Sequence, residues 1–191
     1  DQPRHERQHG GDQGGGGGAM SHPTGLVLPP FGAGQHEYWE TYSPLVASGN
    51  GTVTANQAHM VRLPRLAKSQ RFSNAHIFVV SPNGNLDIGL MWDDGEQYAK
   101  LSATGSTAVS GTNAIQTVAL TAAFTAHPGI DYLAVLVLDG TAQIARVAGL
   151  HAAFVGFRNR VIAKALANIP IPSTIAYTPG STSNVPWIGF S

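Results

Sequence analysis

Between the turn-forming pairs Asn83-Gly84 and Asp94-Gly95, the residues Leu86, Ile88, Leu90 and Trp92 recur at every second position, with Asp87, Gly89, Met91 and Asp93 between them. A period of two places alternate side chains on opposite faces of an extended chain, whereas a helix would need apolar groups every third or fourth residue. The segment is therefore expected to be a half-buried strand, with Trp92 as its last inward residue. Asn83-Gly84 favours the positive φ angles of a tight hairpin turn, and Asp93-Asp94-Gly95 supplies the next turn.

The same grammar of short strand-like runs and turn residues extends over most of the chain. Thr52 to Thr54, His59 to Leu66, His76 to Val80, Tyr98 to Ser102, Ile115 to Thr121, Tyr132 to Leu138 and Gln143 to Ala148 read as strands, punctuated by His127-Pro128-Gly129 and Asp139-Gly140. Such spacing implies an all-β fold, an antiparallel two-sheet sandwich of jelly-roll type. The expected core is Ile77, Val79, Leu86, Ile88, Leu90, Trp92, Val118, Leu120, Leu133, Val135 and Val137. Phe154 to Asn168 fits a short helix and a strand plus loop equally well, and Pro170 and Pro172 bar its continuation as helix.

Three regions follow from composition. Residues 1–23 combine Gln, His and Arg with the five glycines Gly14 to Gly18 and read as a flexible glycine-rich arm or linker. Residues 24–56, with Pro29-Pro30 and the aromatic cluster Tyr38, Trp39 and Tyr42, read as an extended connector laid on a surface. Residues 57–191 form the sandwich domain.

Charge argues against several functions. Lys plus Arg and Asp plus Glu each number 11, so no long-range field draws in nucleic acid or an anionic membrane. No apolar run approaches the ~20 residues that cross a bilayer. The chain has no cysteine, which removes disulfides and thiolate chemistry.

The residues also carry no marked catalytic or cofactor constellation. Asp87, Asp93, Asp94, Glu96, Asp131 and Asp139 mostly sit beside turn residues, and spacing alone pairs none of them across a cleft as a glycosidase requires. Asp93-Asp94-Gly95-Glu96 lacks the alternating oxygens and length of a calcium loop. The eight histidines are scattered without a metal-binding spacing, and no Gly-x-Ser-x-Gly elbow or phosphate loop is present. The expectation is no enzyme, no cofactor and no metal. Trp39, Tyr42 and Trp187, outside the strong strand patterns and near Pro and Gly, are the candidate ligand or interface residues, since aromatic faces stack on sugar rings.

From His59 to its last residue the sequence resembles the C-terminal jelly-roll domains of minor tail and tail-fibre proteins from tailed phages of actinobacterial hosts. The residues that carry the resemblance are Asn85-Leu86-Asp87-Ile88-Gly89-Leu90-Met91-Trp92, Thr117-Val118-Ala119-Leu120-Thr121, Pro128-Gly129-Ile130-Asp131-Tyr132-Leu133-Ala134 and Asn184-Val185-Pro186-Trp187-Ile188-Gly189-Phe190-Ser191. The resemblance implies a virion component that attaches to the host cell surface, with a surface glycan as the candidate ligand, as a homotrimer joined to other virion proteins through its arm. It implies no catalytic residues. The run Tyr132-Leu133-Ala134-Val135-Leu136-Val137-Leu138 is apolar on both faces and so needs a second cover, supplied by a neighbouring copy or by another part of the same chain. Capsid fibre or decoration protein, carbohydrate-binding module of a secreted bacterial protein, and β-sandwich glycan hydrolase are the competing readings.

Overall fold

Every regular element among the described residues is a strand. The computed structural model describes residues 38–41, 49–148, 161–165, 169–176 and 184–191, and no helix occurs among them. In chain order the strands are β1 (Trp39–Glu40), β2 (Gly49–Thr52), β3 (Gln57–Arg62), β4 (Gln70–Ser81), β5 (Asn85–Asp93), β6 (Gln97–Ala103) and β7 (Thr107–Ala108). They continue as β8 (Ala114–Ala126), β9 (Tyr132–Leu138), β10 (Gln143–Ala148), β11 (Val161–Ala165), β12 (Thr174–Ala176), β13 (Asn184–Pro186) and β14 (Ile188–Phe190).

These strands make two antiparallel sheets, the expected sandwich. The first sheet runs β1-β14-β4-β10-β13, with β8 on the other side of β4 and β2 on β10. The second runs β11-β3-β9-β5-β6-β12, with β7 beside β5. Inward residues of both sheets meet in one core: Phe72, Ile77 and Val79 of β4, Leu86, Ile88 and Leu90 of β5, Leu136 and Leu138 of β9, and Ile188 and Phe190 of β14. All but Phe72 follow from period-two alternation on their own strands, and Phe72 reaches the core across the register shift between Phe72 and Asn74.

Asn83-Gly84 turns the chain as its residues dictate, but not into a hairpin. Gly84 has a φ of +73°, and a Cβ there would lie 2.8 Å from the Cα of Gly140, so only glycine fits. The strands on either side of it, β4 and β5, lie in different sheets, and the turn is a crossover. Asp94-Gly95 does close a hairpin, from β5 to β6. There Asp93 Oδ1 accepts the Gly95 N–H at 3.0 Å, and Asp94 Oδ1 accepts those of Glu96 at 3.0 Å and Gln97 at 2.7 Å.

Strand β5 departs from the half-buried strand expected of it. Leu86, Ile88 and Leu90 are in the core, but Asp87 and Met91 between them are also fully buried. The outer face of the second sheet is covered by residues 169–176, whose Ile171 and Ile175 pack with Met91, Tyr98, Leu133, Val135 and Val137. This strap also answers the apolar run of β9, which is buried along its whole length. The cover that a neighbouring copy could have supplied comes from the same chain.

The strap explains two residues of the Asn85-Leu86-Asp87-Ile88-Gly89 motif, Asp87 and Gly89. Asn85 Nδ2 donates to Asp139 Oδ2 at 2.9 Å and fixes the start of the strand. Asp87 Oδ2 accepts the buried Ile171 N–H at 2.7 Å, while its Oδ1 accepts the Thr104 hydroxyl at 3.1 Å. Gly89 leaves room for the strap, since a Cβ there would come within 2.9 Å of Ile171 Cδ1 and 3.3 Å of Ser102 O. The motif is a seat for residues 169–176. Removing its acceptor in Asp87→Ala leaves the Ile171 N–H unpaired in a dry site and should cost about 1–3 kcal/mol. Thermal unfolding checks this, and Asp87→Asn, which keeps an acceptor, should lose less.

Two other expectations need correction or placement. Trp92, placed in the core by its parity, is 37% exposed, because it lies at the end of β5 where the sandwich opens. Val118 is only partly buried against the core. Within Phe154 to Asn168, residues Val161–Ala165 form strand β11, and the remainder lies outside the described residues. From the connector, β1 and β2 pair with β14 and β10 inside the first sheet.

Candidate functional site

The antiparallel register brings the ends of three neighbouring strands together at one edge of the second sheet. Arg62 of β3 stands opposite Leu133 of β9, and Trp92 of β5 opposite Tyr132 of β9. Asp131 precedes β9 and Asp93 ends β5, so two carboxylates and the Arg62 guanidinium come from strands that are distant in sequence.

Their contacts are charge-assisted. Arg62 Nη1 donates to Asp131 Oδ2 at 2.6 Å, and Arg62 Nη2 lies 3.5 Å from Asp93 Oδ2. Arg65 holds Asp131 with two donors, Nε to Oδ1 at 2.9 Å and Nη2 to Oδ2 at 3.2 Å. This planar fork against a planar carboxylate fixes orientation as well as charge. The hydrogen bond from Arg65, reinforced by the charges of Arg62 and Arg65, holds the Asp131 carboxyl below the usual carboxylate range against the opposing effect of burial. Asp131 thus stays ionised near neutrality, with both oxygens engaged. It is a fixed acceptor and not a proton donor.

Arg62, Leu63, Pro64, Arg65 and Asp131 line a cleft of about 390 Å³. Trp92, whose partner across the strands is the inward Tyr132 while Arg62 stands opposite the outward Leu133, is on the other face of the sheet from Arg62 and is the large apolar side chain left exposed among the described residues. An exposed aromatic face can stack on the apolar face of a sugar ring.

The aromatic residues singled out from the sequence lie elsewhere. Trp39 is 7% exposed, stacked on Phe72 with centroids 5.0 Å apart and set edge-on to Tyr132. Its Nε1 donates to Pro64 O at 2.8 Å, which ties the loop lining the cleft to the core. Trp187 is 1% exposed, donates through Nε1 to Glu40 Oε2 at 2.9 Å and meets Tyr38 edge-on at 6.0 Å. Both indoles serve the inside of this chain, and Trp39 supports the cleft without facing it. Tyr42 lies outside the described residues.

Several other polar groups have structural employment. Asp139 is held by the side chain and backbone of Asn85, which keep its carboxyl below the usual range. His76 is 4% exposed, with Nδ1 2.9 Å from Thr117 Oγ1 and Nε2 2.8 Å from Ser191 Oγ. His127 Nδ1 lies 3.0 Å from Ser69 Oγ. Among the described residues, no three His, Cys, Asp or Glu side chains stand close enough to hold a metal ion.

Sequence reasoning missed Arg62, Arg65 and the exposure of Trp92. Asp131 was visible as a carboxylate after a Pro-Gly turn, but its arginine partners lie 69 and 66 residues away and only the strand register joins them. No protein-family model matches the sequence, and no curated protein is significantly similar to it.

Proposed function

We propose that this chain is a structural component of a phage particle, of the tail-fibre or minor-tail type, and that its sandwich binds a saccharide of the host surface at the Trp92 end of the second sheet. The observation that carries the binding half is Trp92 itself: an indole 37% exposed in a fold that buries Trp39 and Trp187. An exposed indole offers a flat apolar face on which a sugar ring can stack. Support for the phage half comes from the motif resemblance and from a two-sheet sandwich of the kind that resemblance implies. On this reading the protein acts by attachment, without turnover, and what supports it is that Asp87, Asp93, Asp94, Asp131 and Asp139 each engage hydrogen bonds or ion pairs within the fold.

Titration with cell-wall polysaccharide fragments from actinobacteria, read by tryptophan fluorescence, tests the proposal. Trp92→Ala should weaken binding by roughly tenfold or more, about 1.4 kcal/mol, while leaving the thermal midpoint near that of the parent. Equal binding by the variant, or no saccharide bound by the parent, overturns it.

A further inference from the structure

A sheet edge with open backbone groups invites pairing, and proteins usually blunt such edges by shortening them or placing charge or proline on them. Most edges here follow that rule. Among the described strands β1 and β7 have two residues, β12 and β13 three and β2 four, while β11 at the rim of the second sheet carries Lys164. Strand β8 does not. Its 13 residues, Ala-Ile-Gln-Thr-Val-Ala-Leu-Thr-Ala-Ala-Phe-Thr-Ala, include no charge, no proline and no glycine.

The two halves of β8 differ. Between the pairs Phe72↔Phe124 and Asn74↔Ala119 its register against β4 jumps, so that residues 120–123 leave the ladder. There the strand is tied to β6 of the other sheet, with Ser102 Oγ donating to Ala122 O at 2.6 Å and Thr121 Oγ1 donating to Ala103 O at 2.9 Å. From Ala114 to Ala119 the strand pairs in unbroken register with β4 on one side, and no described strand pairs with its other side.

We propose that, in place of the three-fold assembly that the resemblance implies, residues 114–119 are a self-association edge, which pairs antiparallel with the same segment of a second copy about a two-fold axis and joins the two first sheets into one. Several observations select a second copy as the occupant. An uncharged edge offers no counter-charge to a charged partner, yet meets an identical edge without repulsion. Antiparallel pairing is the sense of every strand pair in this fold, and a two-fold axis brings a strand antiparallel to itself. Ile115 and Val118 are only partly buried and sit at the rims of two apolar clusters. A paired copy would complete the cover of both.

Light scattering on the full chain at tens of micromolar should give twice the chain mass. Ala114→Lys with Ala119→Lys, at two exposed positions of the open half, should return the mass to that of one chain. Ala123→Lys, exposed in the half tied to β6, should leave the doubled mass unchanged. If the lysine pair fails to fold, amide exchange on the parent decides the matter, with protection in residues 114–119 rising with concentration. A parent that stays monomeric, a tripled mass, a doubled mass indifferent to the lysines, or concentration-independent exchange in this segment overturns the proposal.

Discussion

Acidification from pH 7 to pH 4 should cost this sandwich about 3 kcal/mol through His76 alone. Burial lowers the His76 pKa from its ordinary 6.5 to about 4. Below pH 6.5 the unfolded chain therefore takes up a proton that the folded chain refuses. The stabilisation is complete above the unfolded value and is lost progressively as pH falls toward the folded one. The contacts of the ring are the Thr117 and Ser191 hydroxyls and the Tyr38 ring, whose centroid is 4.5 Å away, and burial is the cause of the shift. Burial lowers the pKa of His59 as well and adds loss of the same sign. The carboxylates with lowered pKa values, Asp94, Asp131 and Asp139, act in a separate window below their ordinary 3.8. Urea denaturation at a series of pH values should thus show two descents. In His76→Gln the upper one should flatten and the lower one remain. An upper descent of equal depth in the variant would assign it to other groups.

Leu90→Ala should destabilise the fold by about 2–5 kcal/mol, the range for deleting a buried leucine side chain from a close-packed interior. Leu90 is fully buried, lies opposite Ala134 of β9 and Ser102 of β6, and belongs to the core between the sheets. Neither neighbour is long enough to fill the space left behind. A loss of ~3 kcal/mol corresponds to a fall in thermal midpoint of roughly 10 °C for a domain of this size. A change below 1 kcal/mol by chemical denaturation would mean that the site collapses around the smaller side chain.

The sandwich was legible because its strands obey local rules. Leu86, Ile88 and Leu90 point inward by parity, Tyr132 to Leu138 and Gln143 to Ala148 are strands with the expected bounds, and Gly95 turns the β5–β6 hairpin with a φ of +93°. What escaped is non-local. Periodicity assigned Asp87, Gly89 and Met91 to solvent because it cannot know that Ile171 and Ile175, about eighty residues later, return to cover that face. Asn83-Gly84 carries the chemistry of a sharp turn, yet whether the next strand pairs with the last or crosses to the other sheet depends on partners the turn does not specify. Trp92 has the right parity for the core but stands in the last row of its strand, where a face loses its opposite wall. The cleft shares this fate. Arg62, Arg65, Asp93 and Asp131 are ordinary surface charges when read singly and become a site only through the β3-β9-β5 register.

The short strand β1 has a mechanical meaning if the residues ahead of it tether the domain. A pull on the chain before Tyr38 meets two rungs, Trp39↔Phe190 and Glu40↔Gly189, and the hydrogen bond from Trp39 to Pro64. Backbone rungs so few would yield readily by themselves, but the first carries an indole seated on Phe72 and Tyr132. Releasing β1 means drawing that ring out of the core, so the indole behaves as a barb. Load applied to the arm passes through it into β14 and β4 of the first sheet and, by way of Pro64 and Tyr132, into the Arg62–Asp131 end of the second.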